Sequence, residues 1–301
     1  MNVRTTDPYA VLRVAAQYVA RFRGALFVLK LSGALSEDPA ARSALAEQIR
    51  LITDFGIRVL VVHGAGSEID RECARRGIPV HKIGGRRVTT PTVLEVVRAS
   101  YRAINQDWVG ALAARGLPVV GVSGEEGALL RARPRPRGPM DGSEGEAVSW
   151  GAVGDLEAVD VARFKHWLGQ GLLTVLAPLT QGPSGETLNC NADTAAAVLA
   201  ASLKASKLVF LLNVPGLLRS PGDRTTVIPY ADLADLAAFE ASGMIQDGMI
   251  VKTRALESAL SAGVESVHLV SGTDPDALVR EVFTHEGSGT MIVSRRREGA
   301  P

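Results

Sequence analysis

The sequence predicts an α/β protein: a mainly parallel central sheet sandwiched between helices, with one extra helix before the first strand. Two observations carry this. Short apolar runs of strand length alternate with helix-forming stretches over nearly the whole chain. Several of those runs end in glycine-containing turns: Lys30 to Gly33, His63 to Gly66, Ser123-Gly124 and Asn213 to Gly216. Open α/β sheets bind ligands beyond the carboxyl ends of their strands, so these turns mark the expected site.

In chain order, residues 8 to 22 read as an amphipathic helix with Val11, Leu12, Ala15, Tyr18, Val19 and Phe22 on one face, ended by Gly24. Standing before the first strand, it has two possible partners, its own domain or a neighbouring subunit. Ala25 to Leu31 is a buried strand with Lys30 near its end, and Pro39 to Phe55 a helix. Arg58 to Val62 is the next strand, ending in His63-Gly64-Ala65-Gly66 and followed by a helix from Ser67 to Arg76. A polar, basic passage holding Arg86 and Arg87 leads to a long helix from Pro91 to Arg115 and a strand from Pro118 to Val122. The stretch Arg131 to Glu146 is irregular and carries four arginines; with no interleaved aromatic residue it reads as a solvated hairpin tip rather than a nucleic-acid arm. Trp150 to Asp155 leads to a helix near Val159 to Gly169, and Leu172 to Leu179 is a strand.

The organising stretch is GETLNCNADTAAAVLAASLKASKLVFLLNVPG, residues 185 to 216. Asn189, Asn191 and Asp193 stand two apart before an alanine-rich run of good helix formers. Asn191 or Asp193 can cap that helix, where free N–H groups favour polar and negative side chains. Leu208 to Leu212 is a buried strand closed by Pro215-Gly216. A helix near Leu233 to Ala241 follows, then a passage that delivers Lys252 at the start of a helix, Thr253 to Ala262. A strand from Ser266 to Val270, a helix from Pro275 to Phe283 and a strand from Thr290 to Ser294 complete the pattern, with a frayed tail expected after it.

Composition bounds the function. A length of 301 residues suits one large α/β domain or two smaller ones, and a net charge of +1 gives no global field toward nucleic acid or membrane. Two cysteines, Cys73 and Cys190, argue against a disulfide scaffold and suit a reducing cytosol. The N-terminal stretch has arginine through its apolar part and no signal-peptide core, and no run is long enough to cross a bilayer. A cytoplasmic location, with no nucleic-acid or membrane partner, is the expectation.

The turns suggest chemistry. Glycine turns that open helices can present N–H groups to phosphate oxygens, though neither a Walker loop nor a full Gly-x-Gly-x-x-Gly fingerprint is present. Lys30 lies at a strand end before a glycine turn, either reaching solvent or placing a mobile charge where phosphate binds. Lys252 reads either as an exposed helix lysine or as a second such charge. No serine elbow, metal-ligand cluster or catalytic triad is recognisable. Phosphoryl transfer needs little else, because its transition state asks mainly for positioning and positive charge. A carboxylate acceptor, already ionised near neutral pH, would need no general base.

Taken together, FVLKLSG, VVHGAGSEID, GGRRVT, VGVSGEEGALLRAR, WGAVGD, NCNADTAAA, LLNVPGLL, DGMIVK and VFTHEGSGTMIV resemble the amino acid kinase family, in the family's order and across nearly the whole chain. The likeness is greatest to the arginine-sensitive, hexameric branch acting on N-acetyl-L-glutamate. That resemblance implies a kinase transferring phosphate from ATP, with Mg2+ carried by the nucleotide, to the side-chain carboxylate of N-acetyl-L-glutamate in arginine biosynthesis. Lys30 and Lys252 would contact phosphate and Asp193 would organise them. Gly33 and Gly66 would line the phosphates, Gly64, Ala65, Arg87 and Asn189 the acceptor, and Asn213, Gly216 and Gly248 the nucleotide. Tyr18, Glu281 and Gly287 would form an effector site for L-arginine, in a homohexamer (a trimer of dimers) joined through the N-terminal helix. The resemblance divides the chain into the interface helix at 1–24, an acceptor lobe at 25–180, an ATP lobe at 181–297 and a tail at 298–301. Departures from the family pattern are Ser32 and Ala65 where glycine is usual, Asn213 where Asp is usual and Glu125 where Lys is frequent. They leave two alternatives: a kinase for a related blocked amino diacid of the aminoadipate type, or a catalytically weak arginine-binding regulatory subunit.

Overall fold

A computed structural model describes residues 8–137, 149–220, 222–246 and 248–296. Most of the expected hairpin tip (138–146), the tail at 298–301 and Asp247 of DGMIVK lie outside the described residues. The chain runs through α1 (Pro8–Phe22), β1 (Leu26–Leu31), α2 (Gly33–Glu37), α3 (Pro39–Asp54), β2 (Arg58–His63) and α4 (Gly66–Arg75). The basic passage forms a two-stranded hairpin, β3 (Lys82–Ile83) and β4 (Arg86–Arg87). Then come α5 (Pro91–Ala113), β5 (Val119–Ser123), β6 (Leu130–Pro134), β7 (Gly154–Val159), α6 (Val161–Gly169), β8 (Leu173–Ala177), β9 (Leu179–Gln181), β10 (Thr187–Asn189) and α7 (Ala192–Ser202). The remainder is β11 (Lys207–Leu212), β12 (Tyr230–Asp232), α8 (Leu233–Ala241), α9 (Gly248–Ser261), β13 (Ser266–Ser271), α10 (Ala277–Phe283) and β14 (Thr290–Val293).

The main sheet has eight strands in the order β12-β14-β13-β11-β1-β2-β8-β5, parallel except where β14 runs against β13. β1 lies inside it, paired with β2 on one side and β11 on the other, so every one of its residues is buried. Two hydrophobic clusters follow from the strand alternation. Phe27, Leu29 and Leu31 face one cluster with α3 and α5, while Leu26 and Val28 face the other with α7. Lys30 continues the Leu26–Val28 series, which turns its side chain toward the α7 face. A second sheet, β10-β9-β6-β7, carries Asn189 at the end of β10.

Four expectations are corrected. The irregular reading from Arg131 missed strand β6, whose buried Ala132 alternates with exposed Arg131 and Arg133; the prolines that broke the pattern sit at its far end. The helix placed near Val159 begins at Val161, capped by Asp160, because Gly154–Val159 pairs as β7 with β6. The strand expected over Leu172 to Leu179 divides at Pro178, which has no N–H for the ladder, into β8 and β9. The helix expected from Thr253 already begins at Gly248, so Lys252 sits inside α9 rather than at its start.

Two buried histidines make stability depend on pH. Burial pushes His63 down to about 3 from its ordinary 6.5 and His268 down to about 4. Both folded values lie below the unfolded one, so the unfolded chain binds more protons, and stability held above pH 6.5 is lost on acidification toward the folded values. For His63 the loss between pH 7 and pH 5 is roughly 2 kcal/mol. Urea midpoints at the two pH values check this, and replacing His63 by Gln is expected to flatten the dependence.

Candidate active site

The parallel strands deliver their turns to one end of the sheet, where a cleft of about 280 Å3 opens. Its walls include Lys30, Gly33, Gly64, Ala65, Gly66, Arg87, Asn189 and Asp193. The two glycine turns cross closely: a Cβ on Gly33 would stand 3.0 Å from the Gly66 nitrogen, so a side chain there would push the turns apart. The methyl group of Ala65 packs into the hydrophobic core rather than standing free. No side chain caps α4 at Ala65, which leaves its first-turn N–H groups available to an anion at the cleft.

Asp193 joins the two lysines. It stands in the first turn of α7, whose alanines let the helix lie close on the sheet, and Asn191 caps that helix through Thr194 N at 3.0 Å. Lys30 Nζ is 2.6 Å from Asp193 Oδ1, and Lys252 Nζ donates to Asp193 Oδ2 at 2.8 Å. Lys252 also lies 5.2 Å from the ring centroid of Phe210, the register partner of Lys30 on β11. Burial pulls the Lys30 ammonium below its ordinary range; Asp193 opposes that shift, and Lys252 adds to it. Burial likewise resists ionisation of Asp193, yet the two ammonium groups hold its carboxyl well below the usual carboxylate range. The trio therefore gathers two basic side chains on one carboxylate beneath the cleft.

The side of the cleft expected to take the acceptor is built on the β3–β4 hairpin and the end of β10. Asn189 Nδ2 donates to Thr89 Oγ1 at 3.1 Å, and Thr89 in turn pairs with Gly151. Gly151 has φ +66, and a Cβ there would stand 2.2 Å from the Thr89 carbonyl oxygen, so this crossing requires glycine. Arg87 donates from Nη1 to Asp70 Oδ1 at 2.6 Å and from Nη2 to the Gly66 carbonyl at 2.9 Å. Asp70, the last residue of VVHGAGSEID, and Lys82, whose Nζ donates to Asp70 Oδ2 at 2.5 Å, have no role assigned from the sequence. No local pattern could have joined a carboxylate on α4 to a hairpin twelve and seventeen residues later.

Three expected nucleotide residues are not among the walls of this cleft. Asn213 follows β11 and its carbonyl accepts from Arg224 Nη1 at 2.9 Å. Gly216 packs on Thr290, where a Cβ would meet Oγ1 at 2.6 Å. Gly248 begins α9, close to Gly85 of the hairpin turn.

The expected effector residues, on α1, α10 and the loop before β14, lie outside the walls of this cleft. Tyr18 Oη bonds His285 Nδ1 at 3.0 Å. Glu281 is buried; Oε1 lies 2.6 Å from His268 Nδ1, and Oε2 accepts from Ser288 N at 2.7 Å and Gly289 N at 2.9 Å. The carboxylate expected to stand ready for a guanidinium is thus engaged within the protein. Gly287, at φ +64, closes the loop over it, where a Cβ would meet Glu281 Oε2 at 2.8 Å. Lys207, also unforeseen, reaches His268 Nε2 at 2.8 Å, and burial pushes its ammonium down to about 8.

The amino acid kinase family model matches residues 25–271. The chain is 46% identical to the acetylglutamate kinase of Myxococcus xanthus, over 95% of this chain and 94% of that one. It is 35% identical to the acetylglutamate kinase of Symbiobacterium thermophilum, over 97% of this chain and all of that one (100%). Among solved structures, N-acetylglutamate synthase from Neisseria gonorrhoeae, complexed with coenzyme A and N-acetyl-glutamate, matches with a TM-score of 0.82 at 29% identity over 97% of this chain. The same synthase complexed with coenzyme A and L-arginine gives 0.82 at 28% over 96%. The chain spans 64% and 66% of the length of those two synthase chains, less than two thirds of each.

Proposed function

Because the chain belongs to the amino acid kinase family, we propose that it transfers the γ-phosphoryl group of ATP to the side-chain carboxylate of N-acetyl-L-glutamate, giving an acyl phosphate in arginine biosynthesis. The observation that carries this is the Lys30–Asp193–Lys252 trio beneath the crossing of two glycine turns. Asp193 fixes both ammonium groups before substrate arrives, so no reorganisation is needed as charge spreads over the transferred group. The acceptor carboxylate attacks in its ionised form. Arg87 and Asn189 take the acceptor's second carboxylate; Asn189 apart, the 25–180 half supplies this side of the cleft, and the 181–297 half takes the nucleotide. Among the described residues no cluster of three or more His, Cys, Asp or Glu is placed to hold a metal. Asp193 in the cleft wall, and Asp70 behind Arg87, are each paired with two cations. In this proposal Mg2+ comes with the nucleotide, where it would screen the charge of the phosphates.

Acceptor-dependent ADP release with a panel of blocked amino diacids tests this reading. N-acetyl-L-glutamate is expected to give the highest kcat/KM; a blocked aminoadipate in first place would move the function to the related acceptor. A purely regulatory subunit would release no ADP and would have no physical need for the trio.

L-arginine as feedback inhibitor of a homohexamer is part of the same proposal. α1 supports it by division of labour: Phe22 at its C-terminal end is buried against Phe27, whereas Tyr9 and Leu12 are 69% and 66% exposed. Inhibition requires arginine to bind one arrangement of the assembly better than the active one, and a helix that joins subunits can carry that difference. Tyr9→Glu with Leu12→Glu is expected to reduce the particle to dimers in sedimentation and to blunt inhibition by arginine. An unchanged particle, or a parent enzyme indifferent to millimolar arginine, would remove this part of the proposal.

A further inference from the structure

We propose that Asp70 is a positioning residue for the acceptor: it holds Arg87 in place and ties the acceptor site to the phosphate turn. The inference rests on the reading of Arg87 given above. Asp70 lies one helical turn beyond Gly66 on α4, so its carboxylate and the Gly66 carbonyl lie on the same side of the helix. Both accept from the one guanidinium of Arg87, at 2.6 and 2.9 Å. The second oxygen of Asp70 takes Lys82, the register partner of Arg87 across the hairpin. One carboxylate thus collects two cations of the β3–β4 hairpin and pins the hairpin to the helix that opens from the phosphate turn.

Arg87 has five N–H donors, and the contacts with Asp70 and Gly66 leave others for a bound carboxylate. The guanidinium is aimed by this double anchorage, because its side chain is only 7% exposed while that of Asp70 is 37% exposed. Burial resists ionisation of Asp70, but its bonds from Arg87 and Lys82 hold the carboxyl below its ordinary value, so the anchor is charged at neutral pH. The Lys82–Asp70 pair is exposed and adds little to stability, and Arg87 keeps its bond to the Gly66 carbonyl when Asp70 is replaced, so the loss should be read in substrate binding more than in unfolding.

The test is steady-state kinetics of Asp70→Asn, alone and with Arg87→Lys, at saturating ATP. Asp70→Asn is expected to raise the acceptor KM about tenfold or more, with a much smaller change in kcat, and Asp70→Glu to recover part of it. In the Arg87→Lys background, Asp70→Asn should add less than about twofold, since residues acting through one another are not additive. An unshifted acceptor KM, or the same factor in both backgrounds, would overturn the role of Asp70. If Asp70→Asn fails to fold, Asp70→Ser is read by the same criteria, and failure of both variants to fold also overturns it, since it would make Asp70 structural. A parent enzyme with no acceptor-dependent turnover would sink the reading of function, and the role of Asp70 with it; normal parent turnover with an unshifted KM would sink only the latter.

Discussion

Lys30→Ala is expected to lower kcat by about two to three orders of magnitude, the usual result of deleting one preorganised group aimed at developing negative charge. Lys30 is fixed by the sheet: it sits on a strand paired on both sides, turned to the α7 face and 2.6 Å from Asp193. Alanine at that position leaves the backbone pairing of the strand in place and removes the ammonium with its buried stem. Lys252→Ala should act similarly, with nucleotide affinity falling less than turnover in both variants. Asp193→Asn is expected to depress turnover as well, because the buried Lys30 and the partly buried Lys252 would then lose their common anion. Single-turnover rates beside ATP binding by calorimetry would separate these effects. Near-normal turnover in a folded Lys30 or Lys252 variant would contradict the assigned role.

Trp108→Ala carries the largest expected loss of stability, about 3–5 kcal/mol. Trp108 is fully buried on α5, and its Nε1 donates to Ser36 Oγ on α2 at 2.9 Å. Removing the indole opens a cavity and leaves a buried hydroxyl without its donor. α5 also carries Tyr101, which lines the cleft, and Asn105, whose Nδ2 lies 3.2 Å from His63 Nε2 at the start of the His63–Gly66 turn. Denaturant midpoints for Trp108→Ala and Trp108→Phe check the prediction; alanine should cost clearly more than phenylalanine. Equal midpoints for the variant and the parent would show that α5 is not anchored there.

Much of this arrangement is legible in the sequence because it rests on local patterns. Lys30 and Asp193 are far apart in the chain, yet one ends an apolar strand and the other opens an alanine-rich helix. The rule for open α/β sheets sends both to the same edge. What stayed hidden depended on partners distant in sequence. Asp70 looks like any polar residue on a surface helix, and only the fold brings Lys82 and Arg87 to it. Lys207 and His268 occupy neighbouring parallel strands whose register the sequence does not reveal. β6 was masked by Arg and Pro, since two-residue alternation with only Ala132 as its buried middle position is a weak signal. The start of α9 was read late because glycine is a poor helix former.

The most direct test of the central claim is trapping of the acyl phosphate with hydroxylamine in the presence of ATP, magnesium and N-acetyl-L-glutamate. The parent enzyme is expected to yield the side-chain hydroxamate, identified by mass, in amounts matching the ADP released; Lys30→Ala should yield little. ADP release without hydroxamate, or hydroxamate formation that persists undiminished in Lys30→Ala, would contradict transfer of phosphate to a carboxylate at this site.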